Sequence, residues 1–439
     1  MNAQHHSHPL VHAYLTTDTP LLELVQQLSG REDPVVQGVA VFMEVSAGLR
    51  SADSAMRHLL NLNLQDFDPD AVLLLLSHAT AVLLDKGRTA EAAAMRRQCL
   101  LFLRPRAPVE LRVFFRYVEA VFARSQGDAA GAERIIREVL RTLPRKSPRF
   151  TALLFLMLDF FADRGRLADV AGELSLLERT ADVQARTRLA ILRFFNAVET
   201  GNVAEADRLS AVLEDNGVLP RTTTDHPPLF RDALIMLDLM CNRWAWGDDP
   251  AQPGDEHAPS LSHWSCYFLL KRQPETALLL ARRFAKQEAD RVNLVIFGSY
   301  SLIRAELACG HGEAARRLLE CRQASGNQHY LDDFFIARCD LAAGDLPGAV
   351  AHYARAWQVA EHYQAQGRLA FELRLACELS AYDLYQLMGC SPPPAASART
   401  ASDVDQHPAP PKDRPAAHDH ELFGLARLRG SSPAIQAVR

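Results

Sequence analysis

Apolar residues in this chain recur at spacings of three and four over long stretches, the period of one face of an α-helix. After Gly344 they fall at Leu346, Ala349, Val350, Tyr353, Ala356, Trp357 and Ala360. After Gly127 the same stripe runs through Ala132, Ile135, Ile136, Val139, Leu140 and Leu143 until Pro144 ends it. Residues 150–161 are apolar nearly all round, which predicts a helix enclosed by its neighbours. The Leu, Phe and Met of these stripes are read as core.

Between the stripes a corner recurs: a glycine that closes one helix, then a small residue five positions on, inside the next. The pairs are Gly87 with Ala92, Gly127 with Ala132, Gly165 with Val170, Gly201 with Ala206, Gly310 with Ala315 and Gly344 with Ala349. Glycine takes the left-handed conformation that ends a helix, and a small side chain lets the following helix pack closely. The glycines are 40, 38 and 36 residues apart from Gly87 to Gly201, and 34 apart from Gly310 to Gly344. Weaker copies are Arg50 with Ala55 and Arg272 with Ala277. Gly201 and Arg272 are 71 residues apart, two periods with one corner blurred.

Composition changes this picture little. The 439 residues are 48% hydrophobic, rich in Ala, Leu and Arg and poor in strand-like runs. With 48 basic against 53 acidic residues there is no overall field for phosphate backbones. Arg145, Lys146 and Arg149, around Pro144 and Pro148, read as a solvated turn, so no direct nucleic-acid binding is expected. The eight cysteines show neither a C-x-x-C pair nor Cys/His ligand spacing and sit mostly at apolar positions, as in a reducing cytoplasm. Residues 1–9 lack the pattern of a secretory signal, and the apolar runs at 72–76 and 153–158 fall short of the roughly 18–20 residues of a membrane span. The expectation is a soluble, cytoplasmic protein without a membrane partner.

The period and the corners resemble the tetratricopeptide family over residues 36–389, although no repeat opens with the family's Trp-x-x-Leu-Gly-x-x-Tyr. The resemblance implies an all-α, tetratricopeptide-like α-solenoid of antiparallel helix pairs, of the divergent kind found in large bacterial regulators. Residues 1–35 are expected to be a partly helical N-terminal segment. Residues 390–420, with Pro392, Pro393, Pro394, Pro408, Pro410, Pro411 and Pro415, carry no apolar period and read as a flexible, disordered linker.

Residues 421–439 recover apolar character, and Gly430, Ser432, Pro433, Ala434, Ile435, Gln436 and Val438 match in order the opening of the ATPase domain of sigma-54-dependent transcriptional activators. Ser432 before Pro433 also suits a helix start. The resemblance implies a variable sensor, a linker and a remnant of the start of an AAA+ motor, in a chain that stops where that motor begins. No G-x-x-x-x-G-K-[ST] phosphate loop and no Gly-Ala-Phe-Thr-Gly-Ala stretch occurs in the 439 residues. ATP and Mg are therefore expected only if the ATPase domain were present, and no cofactor is expected in this chain.

Candidate chemistry is sparse. Asp225 with His226 and the run His418, Asp419, His420 have no nucleophile turn beside them, and His5, His6, His8 and His12 lie on an end expected to fray, so neither a catalytic nor a metal site is assigned. The blurred repeat is the exception. Trp244, Trp246 and Trp264 surround a Gly-, Asp- and Pro-rich loop at 247–262, with Tyr267 one turn later. Asp238, Asn242, Trp244, Trp264 and Tyr267 are the candidate ligand-binding residues, the alternative being that these aromatics plug an irregular junction. The functional expectation is a non-enzymatic sensor or interaction module of a sigma-54-dependent regulator that binds a protein, a peptide or a small-molecule effector on its repeat surface. A stand-alone tetratricopeptide-like scaffold binding a peptide or partner protein is the alternative.

Overall fold

The computed structural model describes residues 8–17, 21–28, 33–46, 49–162, 164–180, 183–216, 228–245, 260–287, 300–324 and 329–389. The linker read at 390–420 and the segment 421–439, with its motif residues Gly430, Ser432, Pro433, Ala434, Ile435, Gln436 and Val438, lie outside the described residues, as do Trp246, His5 and His6. The described residues are all-helical, with no strand among them. None of their helices is long and apolar enough to cross a membrane.

Helices joined by short turns pack on one another: Pro69–Asp85 on Thr89–Phe102, Val109–Ser125 on Ala129–Thr142, Val183–Thr200 on Val203–Asp215, Leu261–Leu270 on Pro274–Gln287, and Tyr330–Ala342 on Leu346–His362. The first helix of one pair also packs on the first helix of the next, from Pro34–Ser46 through Pro69–Asp85, Val109–Ser125 and Phe150–Ala162 to Val183–Thr200. These first helices are buried on several sides. In Pro69–Asp85 the successive residues Val72, Leu73, Leu74, Leu75 and Leu76 are all sealed from solvent. This run is apolar throughout because neighbouring helices cover it all round.

The glycine corners take the conformation expected of them. Gly87, Gly127, Gly165, Gly201, Gly310 and Gly344 all have φ between +65° and +83°. At each, the amide after the glycine donates to a carbonyl five residues back, as from Arg88 to Leu83 and from Asn202 to Ala197, both at 2.8 Å. The small residues five positions on, Ala92, Ala132, Ala206, Ala315 and Ala349, have no exposed surface. Arg272 makes the same turn at φ +57° without a glycine. So do Asn242 and Gln364, both at φ +56°. Asn242 is thus the corner missing between Gly201 and Arg272: it closes the helix Pro228–Met240, and Arg243 N donates to Asp238 O at 2.8 Å.

Two readings of single residues change. Arg149 is not part of a solvated turn: it is buried, its guanidinium lies 4.2 Å from the centre of the Tyr14 ring, and it donates to Thr17 O at 3.4 Å. It ties the helix Pro9–Thr16 to the start of Phe150–Ala162, whereas Arg145 and Lys146 remain exposed. His8, read as part of a fraying end, caps the first helix and bonds Asp33 at 2.7 Å.

Among the described helices, one also reaches outside the serial order. Gln366–Leu375 follows Leu346–His362 through the left-handed turn at Gln364, then packs back across the molecule on Val183–Thr200 and Leu261–Leu270. Its Phe371 and Leu375 join the apolar cluster of Phe194, Leu237, Trp264 and Phe268.

Candidate functional site

The corner at Asn242 brings the sequence-derived candidates together. Trp244 stacks on Tyr267 with ring centres 4.7 Å apart and meets Trp264 edge-on at 4.8 Å, and Phe268 lies against both Trp264 and Tyr267. Trp264 and Tyr267 are buried, and Trp244 is half-buried. Offset and edge-on pairs of this kind add roughly 0.5–1.5 kcal/mol each beyond burial. Asn242 is exposed and takes a hydrogen bond on Oδ1 from Arg374, which also donates to Met240 O at 2.8 Å. Asp238 stays at the rim, 3.2 Å from Arg243 Nε. The five residues therefore form one joint, a packed aromatic stack edged by polar groups. It is the place where Gln366–Leu375 crosses the end of Pro228–Met240.

Along the same helix lies a second cluster, made of charges. Arg304, on Ser301–Ala308, grips Glu372 with two hydrogen bonds, Nε at 2.7 Å and Nη2 at 2.6 Å, with both side chains sealed from solvent. Arg368 donates to Glu372 at 3.1 Å from the previous turn and lies 3.6 Å from Glu199 at the end of Val183–Thr200. Burial works against a charge on Glu372, but Arg304 and Arg368 override it and hold the carboxyl below its ordinary value. Nearby, Arg322 donates to Asp332 at 3.0 Å and to Tyr300 Oη at 3.1 Å. His329 next to them is pushed well below the usual histidine value, first by burial and then by Arg322, Arg368 and Arg164.

The backbones meet here too. A β-carbon on Gly201 would sit 2.2 Å from Arg368 N, and one on Gly367 would sit 2.1 Å from Gly201 O. Only glycine at both positions permits this approach. Beside the contact, an open polar cleft of about 180 Å³ is lined by Arg193, Asn196, Thr200, Glu205, Tyr363 and Gln364. Tyr363 Oη donates to Asp169 at 3.3 Å.

Charge pairing and backbone contact together join Gln366–Leu375 to Val183–Thr200 and Ser301–Ala308. The cluster's carboxylates lie against guanidinium groups, an arrangement that positions the helices carrying them.

Sequence reasoning missed the cluster. The available signal was an arginine six positions before Gly310 and again before Gly344, at Arg304 and Arg338, on helices whose other inward positions are largely apolar. Two residues after each arginine stands an acid that pairs outward: Glu306 with Arg282 at 2.9 Å, and Asp340 with Arg316. No family model and no curated protein matches the chain.

Proposed function

We propose that the helix pairs form a tetratricopeptide-like α-solenoid and that the chain is the sensory, protein-interaction part of a bacterial sigma-54-dependent transcription regulator. The observation that carries the regulator reading is the match at Gly430, Ser432, Pro433, Ala434, Ile435, Gln436 and Val438, placed beyond the Pro-rich stretch. What supports the solenoid reading is the recurrence of left-handed corners, with a buried alanine five residues after Gly87, Gly127, Gly201, Arg272, Gly310 and Gly344, and the packing of first helix on first helix. In such a regulator the effector acts by binding one arrangement of the helices better than another. The DNA beyond codon 439 is expected to encode a G-x-x-x-x-G-K-[ST] motif within a few dozen codons. A stop followed by unrelated sequence would instead leave the stand-alone scaffold.

Asp238, Asn242, Trp244, Trp264 and Tyr267 are proposed to border the effector site, because the aromatic joint touches both the blurred repeat and the helix that crosses the molecule. A small-molecule library screened by melting shift is expected to yield compounds whose shift disappears in Trp264→Ala. Compounds that shift the variant as they shift the parent protein would remove the joint from consideration.

A further inference from the structure

Gln366–Leu375 is attached with more deeply buried charge than the serial helix pairs. Those close on Ala, Leu and Phe, as at Ala92, Leu153 and Phe161, and in ion pairs between them such as Arg282 with Glu306 and Arg316 with Asp340 the arginine reaches solvent. Here Arg304, Arg368, Glu372 and Glu199 occupy the contact together with the apolar anchors Phe371 and Leu375. Separating two apolar helices exposes surface to water at a cost that grows with its area. Separating charges returns them to water and recovers the desolvation that their burial cost. A contact of apolar anchors and paired charges is the composition of interfaces between parts that fold separately.

Besides the preceding helix Leu346–His362, on which it packs through Leu369, this helix has partners remote in the chain. Glu372 is 68 residues from Arg304, and Arg374 is 134 from Met240. The seat is already shaped by others: Val183–Thr200, Leu261–Leu270 and Ser301–Ala308 pack on their own neighbours in the series.

We propose that Gln366–Leu375 is an intramolecular ligand, filling a helix-binding seat formed by Val183–Thr200, Leu261–Leu270 and Ser301–Ala308, and that a partner helix of the same chemistry displaces it. The partner is an amphipathic helix with a glycine where the backbones meet and a carboxylate, set between Leu and Phe anchors, that reaches Arg304. The tether gives the internal helix an effective concentration of about the millimolar range, so displacement requires a partner that binds the seat more strongly than the internal helix does. This holds whether or not the chain belongs to a transcription regulator.

The test uses the full chain carrying Gly367→Val. The new side chain collides with Gly201 O, so the internal helix is expelled while the seat keeps its own Gly201. A labelled peptide of residues 362–378, with Gly367 intact, is expected to bind this variant saturably and the parent chain at least about tenfold more weakly. The same peptide with Glu372→Gln is expected to bind about 10- to 100-fold more weakly than the unaltered peptide, the loss of a charge-assisted hydrogen bond. Hydrogen exchange is expected to show protection lost at residues 369–375 and kept over 301–308 and 330–342. The proposal is overturned by loss of the helical signal throughout the variant, by retained protection at 369–375, by a folded variant that ignores the peptide, or by equal binding to the parent chain.

Discussion

Glu372→Leu is expected to weaken the docking of Gln366–Leu375 by ~3–5 kcal/mol, the penalty for removing one partner of a buried ion pair. Glu372 is the costliest member to lose because one carboxylate serves two guanidinium groups, Arg304 and Arg368, neither of them reachable by water. Arg368 keeps Glu199 within 3.6 Å after the substitution, but Arg304 is left with its charge buried. Exchange of the amides over 369–375 should accelerate by about two decades or more, at about 1.4 kcal/mol per decade. Arg304→Met combined with Glu372→Leu should recover most of the loss, since the pair is then replaced by apolar side chains of similar volume and Arg368 with Glu199 balances itself. A double variant no better docked than Glu372→Leu would show that direct attraction, rather than the cost of a stranded charge, holds the helix.

Acidification is the second large effect. His78 and His263 are both lowered to about 4 by burial, with backbone contact at Asp232 opposing and Arg231 reinforcing the shift at His263. His78 Nε2 has no hydrogen-bond partner and no access to water. Above about pH 6.5, the ordinary histidine value, these imidazoles are neutral in both the folded and the unfolded chain and do not alter stability. Below it the unfolded chain takes up protons that the folded chain refuses, so stability falls with pH until about 4. Each histidine removes about 1.4 kcal/mol per pH unit, about 3 kcal/mol over the window. His329, also held well below the ordinary histidine value by burial, adds to the loss in the same direction. Urea midpoints measured from about pH 7.5 to about 4.5 should therefore fall steadily once the ordinary histidine value is passed. His78→Leu should make the slope shallower, and an unchanged slope would show that His78 does not carry it.

Much of the helical framework was legible in residues. Gly87 or Gly344 declares its corner because the left-handed turn, the hydrogen bond five residues back and the buried alanine that follows all lie within one or two helical turns. The corners at Asn242 and Gln364 were not legible, because a non-glycine at positive φ leaves no mark in composition. For the candidate joint, the aromatics Trp244, Trp264 and Tyr267 were recognisable as a group, and the structure stacks them together. The role of Asn242 as corner and as acceptor for Arg374 came only from the fold.

By itself the sequence determined which segments are helical, where most of them turn and which faces are apolar, because each of these depends on neighbours within a few residues. Only the tertiary structure decided which charges are buried. Arg368 with Glu372 is an Arg-Glu pair four apart on one helix, and in residue types it differs little from Arg208 with Glu205, which lies in solvent. What separates them is a guanidinium 68 residues away and a glycine at 201 that lets two backbones touch. Whether a charge is buried depends on the partners that three-dimensional packing brings to it, and no local pattern carries that information.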